Sequence, residues 1–310
     1  MIHRLLLKII LTVFFLIVVA PVLHAEKRIG VILTGDIPYY REMHESFVNE
    51  IEKSFPGREE IKFILQKPFP DPISWSNAAR KLVAFDVDLI VTYGLSATEA
   101  VLHEKSDIPL VYAGYYESDI KAPSGGKVTG TGFKIPLSSI LRYFKSIKPI
   151  NSIVIIYSNS ETDSLRQARA ITSLAVKQKI NVEKINIKSQ YDINKIKKIK
   201  PDAAFITGSA RVHLYLPEML SALKNEQIPA ADIFPDDSQS GLLMTLFQPA
   251  KNQGQAAAEL AGRILRGEKA AKIPPRTARN TELVFNLVVA KHLGISFPIH
   301  LLIESTRVIE

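Results

Sequence analysis

Cysteine is absent from the 310 residues, and tryptophan occurs once. Without a thiol there is no disulfide framework, no Cys-ligated zinc or iron–sulfur site, no thiol nucleophile and no cysteine for lipoprotein acylation. Long apolar runs are scarce too: beyond residue 25 nothing approaches the roughly 18 residues of a membrane-spanning helix. Histidine motifs are missing as well. His44, His103, His213, His292 and His300 form neither an i, i+4 pair nor HExxH spacing, so a metal centre has no sequence signature. The glycines at Gly125-Gly126 and Gly130-Thr131-Gly132 lack a Walker lysine in register and read as turns. Asp71-Pro72 and Pro235-Asp236-Asp237 read as helix-start and loop signals rather than acid–base pairs.

What is present begins with a targeting pattern. Arg4 and Lys8 precede an apolar run from Ile9 to Leu23, interrupted only by Thr12 and Pro21. Leu23-His24-Ala25 then leads into the charged Glu26-Lys27-Arg28, which predicts an export signal cleaved near Ala25. The alternative is an uncleaved anchor, for which the run is short of the ~20 residues of a span. The formal charge of +8 falls to +6 without residues 1–25, with 37 cations against 31 anions. Six lysines between Lys184 and Lys200, accompanied only by Tyr191 among aromatics, read as a solvated face rather than a nucleic-acid surface. With 46% apolar and 23% charged residues, the rest is globular and long enough for two domains.

Short apolar runs alternate with helical stripes. The runs are Ile29–Leu33, Ile61–Leu65, Leu89–Tyr93, Leu110–Ala113, Ile153–Tyr157, Val182–Ile187, Ala203–Thr207, Ala230–Ile233 and Leu242–Phe247. They fit parallel strands buried on both faces. Between them, Tyr40/Met43/Phe47/Ile51, Trp75/Ala78/Ala79/Leu82, Leu137/Ile140/Leu141/Phe144, Leu216/Met219/Leu220/Leu223 and Ala257/Leu260/Ala261/Ile264 mark single helical faces. Alternation of this kind predicts an α/β fold, and so many strands are better served by two lobes than by one sheet. An internal echo agrees: Asp88–Ser96 followed by Ile108-Pro109 resembles Asp202–Ser209 followed by Ile228-Pro229, 114 residues later.

A serine hydrolase is the enzyme reading to weigh. Gly94-Leu95-Ser96-Ala97-Thr98 sits at a strand-to-helix turn, but Thr98 stands where a nucleophile elbow needs its second glycine. Binding geometry is better supported. In open α/β sheets ligands sit beyond the carboxyl ends of strands, against helix N-termini. The loops predicted there carry Asp36, Tyr39 and Tyr40, then Gly94, Ser96 and Ala97, then Tyr115 and Tyr116. The second half contributes Asn159, Glu161 and Thr162, then Ser209 and Arg211, then Asp232. The Ser96 hydroxyl with its helix N–H groups suits a carboxylate, and the four tyrosines suit an apolar or aromatic body. Helix capping by Ser, Thr and Asn is the competing explanation for any single one of them.

In order and spacing, Leu82-Val83-Ala84 leading to Asp88–Val91, Ile108–Val111, Val128-Thr129-Gly130, Gly262–Glu268 and Asn286–Ile295 resemble periplasmic substrate-binding proteins of ABC transporters, in particular the tryptophan/tyrosine-transporter group. The likeness covers about residues 28–297. It implies a type I periplasmic-binding-protein fold of class α/β, two Rossmann-like lobes with parallel sheets joined by a three-crossing hinge. Lobe 1 is expected at 26–134 plus 248–271 and lobe 2 at 135–247 plus 272–310, after a signal peptide at 1–25. The crossings are expected near Phe133–Leu137, Phe247–Ala250 and Ala270–Ile273. The resemblance further implies a periplasmic monomer without catalysis, cofactor or metal, whose partners are a small-molecule ligand and a permease with its ATPase. A ligand sensor for a receptor is the alternative of a different class. Where the family often has Asp-Pro after its fourth strand this chain has Tyr115-Tyr116-Glu117, and Ser209 stands where an Asp would meet an amino group. Glu117, Glu161 and Asp232 are the carboxylates available to replace it.

Overall fold

The computed structural model describes residues 26–56, 61–116, 126–235, 241–278 and 280–310. Residues 1–25, expected as an export signal, and Glu117, Gly125, Asp236 and Asp237 lie outside the described residues. The chain first runs β1 (Lys27–Leu33), α1 (Pro38–Ser54), β2 (Ile61–Gln66), α2 (Pro72–Ala84), β3 (Leu89–Tyr93), α3 (Leu95–His103), β4 (Leu110–Tyr116) and β5 (Val128–Phe133). It continues through α4 (Leu137–Ile147), β6 (Ser152–Tyr157), α5 (Thr162–Lys177), β7 (Asn181–Asn186), a 3-10 stretch (Gln190–Lys198) and β8 (Ala203–Ile206). Short α6 (Ala210–His213), α7 (Leu216–Asn225), β9 (Ala230–Asp232) and β10 (Met244–Phe247) follow. The last part is α8 (Ala250–Leu265), β11 (Arg276–Ala278), β12 (Glu282–Asn286), α9 (Leu287–His292), α10 (Ile299–Glu304) and β13 (Arg307–Ile309).

Two separate sheets result. The first has order β2-β1-β3-β4-β5-β11 and is parallel throughout. The second has order β7-β6-β8-β9-β10-β12-β13, with β12 antiparallel to β10. Read from their second strands, both repeat the doubly wound order 2-1-3-4-5, which places a topological switch point between β1 and β3 and another between β6 and β8. Fully buried runs such as Leu89–Tyr93 and Ala203–Ile206 form central strands because helices cover both of their faces.

The echoed aspartates do the same work in each lobe. Asp88 Oδ2 accepts the Arg28 N–H at 2.8 Å, holding the start of β1 beside β3. Asp202 Oδ2 accepts the Asn151 and Ser152 N–H groups at 2.8 and 2.9 Å, holding the start of β6 beside β8. Asp71 is also a helix start, its carboxylate accepting the Ser74 N–H at 2.9 Å with Pro72 behind it.

Two features depart from expectation. Gly130 and Gly132 lie inside β5 rather than in turns. A Cβ on Gly130 would stand 2.4 Å from the Tyr112 ring and carbonyl oxygen, so glycine serves here to let β4 and β5 pair beneath a tyrosine. The chain leaves the first sheet after Phe133 and, since α8 packs on α1, returns to that lobe after Phe247. Its third crossing falls between Ala278 and Glu282, not at Ala270–Ile273, because β11 pairs with β5 as an edge strand. Three residues of mixed polarity carry too little pattern to announce such a strand. Among the described residues, no helix is long and apolar enough to cross a membrane, and no group of three or more His, Asp or Glu side chains could hold a metal ion.

Candidate functional site

Both switch points open toward the same boundary. From the first lobe come the loop after β1 and the N-terminus of α3; from the second come the loop before α5 and the loop around α6. Gly94 starts α3 with φ +90, and a Cβ there would lie 2.6 Å from both the Thr34 Oγ1 and the Tyr40 hydroxyl. The glycine therefore does two things: it makes the turn and leaves room for Tyr40. The Thr34 hydroxyl accepts the Ala97 N–H at 3.3 Å, tying the β1 loop to the start of α3.

Aromatic side chains close the boundary. Tyr39 stacks on Phe234 of the second lobe, with ring centroids 4.1 Å apart and 19° between planes, and its hydroxyl donates to the Gln248 carbonyl at 3.0 Å. Tyr40 meets the same Phe234 edge-on at 5.8 Å. Both tyrosines are buried, and loss of solvation raises their hydroxyl pKa values well above the ordinary one. Tyr115 receives a hydrogen bond from Arg166 of α5 at 3.1 Å, and the Tyr116 N–H donates to Asp163 Oδ2 at 3.4 Å. Further contacts span the lobes at either side. Thr162 donates to Glu99 at 2.8 Å. Arg211 places Nε and Nη2 on the Pro70 carbonyl at 3.0 and 2.7 Å while its guanidinium covers the Phe69 ring at 4.3 Å. The lobes are thus closed on one another.

Ser96 is nearly buried at α3 and lines a cavity of about 350 Å³ with Trp75, Glu99, His103, Ser160 and Thr162. A second cavity of about 430 Å³ lies on the Tyr39 side, between Asp36 and Tyr39 of one lobe and His213 and Pro235 of the other. His292, a late histidine a serine nucleophile would call on, instead contacts Gln227 in the second lobe.

The structure sorts the carboxylates sharply. Glu161 is buried, and its two oxygens accept from the Ser209 hydroxyl and from the Ala210 and Arg211 N–H groups, the latter two at 2.8 Å. Burial pushes its pKa up, and these donors pull against that shift. It caps α6 from a different loop, and Ser209 adds a second cap on the Val212 N–H at 3.2 Å. Asp232 accepts from the Ile233 and Phe234 N–H groups at 2.6 and 2.9 Å and faces His213 Nε2 at 3.0 Å. His213 Nδ1 sits 2.7 Å from the Ser209 carbonyl, which needs a hydrogen there, so the pair shares one further proton between Nε2 and Asp232. Burial opposes the histidine charge, but Asp232 and the Ser209 carbonyl raise its pKa overall. Asp36 is partly exposed and paired with Arg41 and Lys67 at 3.2 and 3.4 Å. Asn159 is exposed, its N–H held by Asn186.

Tyr39, Tyr40, Gly94, Ser96, Ala97, Tyr115, Tyr116, Glu161, Thr162, Ser209 and Arg211 therefore gather at the boundary; Asp36 edges it, Asn159 stands outside, and Asp232 lies beneath Phe234. Sequence reasoning missed Asp163. This carboxylate, in the first turn of α5, is buried; its Oδ2 takes the Tyr116 N–H from the other lobe, and Oδ1 has no partner. Burial pushes its pKa up to about 8. Gln248 was missed too, because it reaches the boundary only through long-range packing.

Comparison with known proteins follows this geometry. The family model for "ABC transporter substrate binding protein" matches residues 59–309. A curated relative, the tyrosine-binding protein of Clostridioides difficile (strain R20291), is 24% identical over 283 residues, 87% of this chain and 81% of the relative. The solved structure of an ABC domain in complex with L-Trp from Streptococcus pneumoniae is 22% identical and covers 92% of this chain and 100% of that one, with a TM-score of 0.84. A ligand-free, open structure of a substrate binding protein with adhesive properties from Clostridium difficile is 22% identical, covering 92% and 99%, with a TM-score of 0.65.

Proposed function

We propose, from the premise that this chain belongs to the ABC transporter substrate-binding protein family, that it is the exported solute-capturing component of an import system. It takes up a small organic solute, aromatic or carboxylate-bearing, between its lobes and delivers it from the periplasm to a permease with its ATPase. The observation that carries this reading is the meeting of two switch points across one boundary, with Tyr39 stacked on Phe234 and Tyr40 against the same ring. Aromatic faces give a solute contact area at low entropic cost, while the free end of α3 at Ser96 offers N–H groups and a hydroxyl to a carboxylate. The bound ligands named for two relatives, tyrosine and L-Trp, share that chemistry.

The mechanism is hinge closure. Contacts such as Thr162 to Glu99 and Arg211 to Pro70 exist only when the lobes meet. A solute that touches both lobes adds its own binding energy to them and shifts the population toward the closed form, the form a permease recognises. Release at the permease then requires only that the crossings at 134–136, 248–249 and after Ala278 reopen. The reading calls for no covalent step, and Glu161 and Asp232 are hydrogen-bonded within the second lobe.

A thermal-shift screen of the chain without residues 1–25 tests the reading, using aromatic amino acids, aromatic acids, nucleosides, sugars and oxyanions. A ligand at 100 times its Kd adds about 2.7 kcal/mol to stability, a readily visible rise in Tm. Tyr39→Ala is expected to abolish the shift by removing the Phe234 stack, with the empty fold retained. A screen in which no small solute raises Tm, or in which Tyr39→Ala shifts like wild type, removes this placement of the site.

A further inference from the structure

Gly35 is buried in the loop between β1 and α1, and nothing in its own lobe requires a glycine there. Its backbone is not left-handed. A Cβ at this position would stand 3.5 and 3.6 Å from the Cβ and Cγ of Pro70, ordinary contacts within the first lobe, but 2.7 Å from the Ala210 Cβ of the second. Among the described residues the other crowded glycines meet their own lobe, as Gly94 meets Thr34 and Tyr40 and Gly208 meets Phe234. Neither side of the Gly35 contact can yield. The Ala210 Cβ is fixed to the backbone at the first residue of α6, whose N–H is held by Glu161 Oε2 at 2.8 Å. The Gly35 loop is pinned through Thr34, whose N–H donates to the Tyr93 carbonyl at 3.0 Å and whose carbonyl accepts the Trp75 indole N–H at 2.7 Å. Beside it, Arg211 reaches the carbonyl of the same Pro70 that flanks Gly35.

Resting on the reading of the lobes as a hinged pair, we propose that Gly35 sets the separation of the closed lobes: Ala210 lands on its bare α-carbon, and a side chain at position 35 holds the cleft ajar while leaving each lobe intact. Carbon atoms in contact rest about 3.5–4.0 Å apart, so a methyl group at position 35 requires the lobes to part by about 1 Å. That movement is small for a hinge and large for the bonds across the boundary. Arg211 to Pro70 at 2.7 Å and Thr162 to Glu99 at 2.8 Å are at ordinary hydrogen-bond length, and about 1 Å more takes both out of range. Gly35 thus acts on capture without needing to touch the solute. It is a positioning residue, deciding how many of the closing contacts a bound solute can recruit.

The absence of cysteine makes the test direct. Asn77→Cys on α2 and Ser173→Cys on α5, both exposed, give one spin-label site in each lobe. Double electron–electron resonance on the labelled, solute-free protein reads the interlobe distance, with thermal unfolding measured alongside. Wild type and Ala210→Gly are expected to share one short distance. Gly35→Ala lengthens it by about 1 Å or more, and Gly35→Leu, a larger wedge, lengthens it further, with the Tm of Gly35→Ala close to wild type. Adding Ala210→Gly to Gly35→Ala restores the short distance, because removing the facing methyl group clears the space; the same addition does not restore Gly35→Leu. A merely local role for Gly35 would give no such rescue from the other lobe. Equal distances and equal Tm in wild type and Gly35→Ala overturn the inference and leave the hinge in place. Equal distances with a lowered Tm in Gly35→Ala mean that the clash is absorbed in a fixed boundary, and hinge closure falls together with the inference. A lengthened Gly35→Ala that Ala210→Gly fails to shorten, or an empty wild type without the short distance, overturns it as well.

Discussion

Replacing Glu161 by alanine separates a structural carboxylate from a ligand-binding one. The side chain is buried and collects three donors: the Ser209 hydroxyl and the Ala210 and Arg211 N–H groups. In Glu161→Ala the Ser209 hydroxyl can turn elsewhere, and the Arg211 N–H is near enough to solvent to find water. The Ala210 N–H stays buried at the start of α6 and loses its acceptor outright. One fully unsatisfied donor costs about 1–3 kcal/mol, and two lost charge-assisted bonds bring the expected destabilisation to about 3 kcal/mol. Glu161→Gln keeps one acceptor oxygen for Ser209 and Arg211 but turns an NH2 toward the Ala210 N–H, which limits the cost to about 1–2 kcal/mol. Urea unfolding followed by circular dichroism reads both, with the second-lobe transition fitted separately because two lobes need not unfold together. Ligand affinity of the folded variants is expected to change little. Stability of Glu161→Ala within about 0.5 kcal/mol of wild type, or a large loss of affinity at unchanged stability, refutes the capping role.

Three other perturbations have defined outcomes. Arg211→Ala loses the bridge to the Pro70 carbonyl and the cover over Phe69, so the empty protein opens: small-angle scattering records a larger radius of gyration and affinity falls about 5- to 30-fold, for a loss of about 1–2 kcal/mol. An unchanged radius and affinity would mean the arginine does not latch the lobes. Gly94→Ala forces a side chain into a left-handed position 2.6 Å from the Tyr40 hydroxyl, with an expected loss of about 2 kcal/mol or more in thermal unfolding; a neutral Gly94→Ala contradicts that packing. For Asp163, the folded pKa of about 8 lies above the ordinary 3.8, so the folded state binds the extra proton between those values. Its stabilising contribution is complete below about pH 4 and is lost as pH rises toward 8, so the Tm of the empty protein falls over pH 5–8 relative to Asp163→Asn. Parallel Tm profiles for the two proteins would show that the carboxyl is solvated.

The lobes were legible because their signals are local. Leu89–Tyr93 and Ala203–Ile206 are apolar without alternation, as strands covered on both faces must be, and Tyr40, Met43, Phe47 and Ile51 fall on one helical face whatever the rest of the chain does. The repeated Asp88 and Asp202 marked the same unit twice, and the fold uses them identically. Strands β5 and β11 were hidden for opposite reasons: one is broken by glycines that serve Tyr112, the other is three residues long on a sheet edge. Loops after strands could be named as site loops from the doubly wound order alone. Their individual side chains could not, because serine, glutamate and arginine serve caps and latches as readily as ligands.

Glu161 and Asp163 show where the division lies. The sequence by itself placed Glu161, with Asp163 two residues on, in the loop after the apolar run Ile153–Tyr157, since such a run and its end are properties of neighbouring residues. Only the tertiary structure decided that Glu161 is consumed by Ser209, Ala210 and Arg211, 48 to 50 positions away, while Asp163 meets Tyr116 of the opposite lobe, 47 positions back, and keeps an oxygen free. Whether a buried carboxylate is a cap or a receptor depends on which donors the folded chain brings within hydrogen-bond reach, and donors that distant leave no periodic trace in the sequence around it.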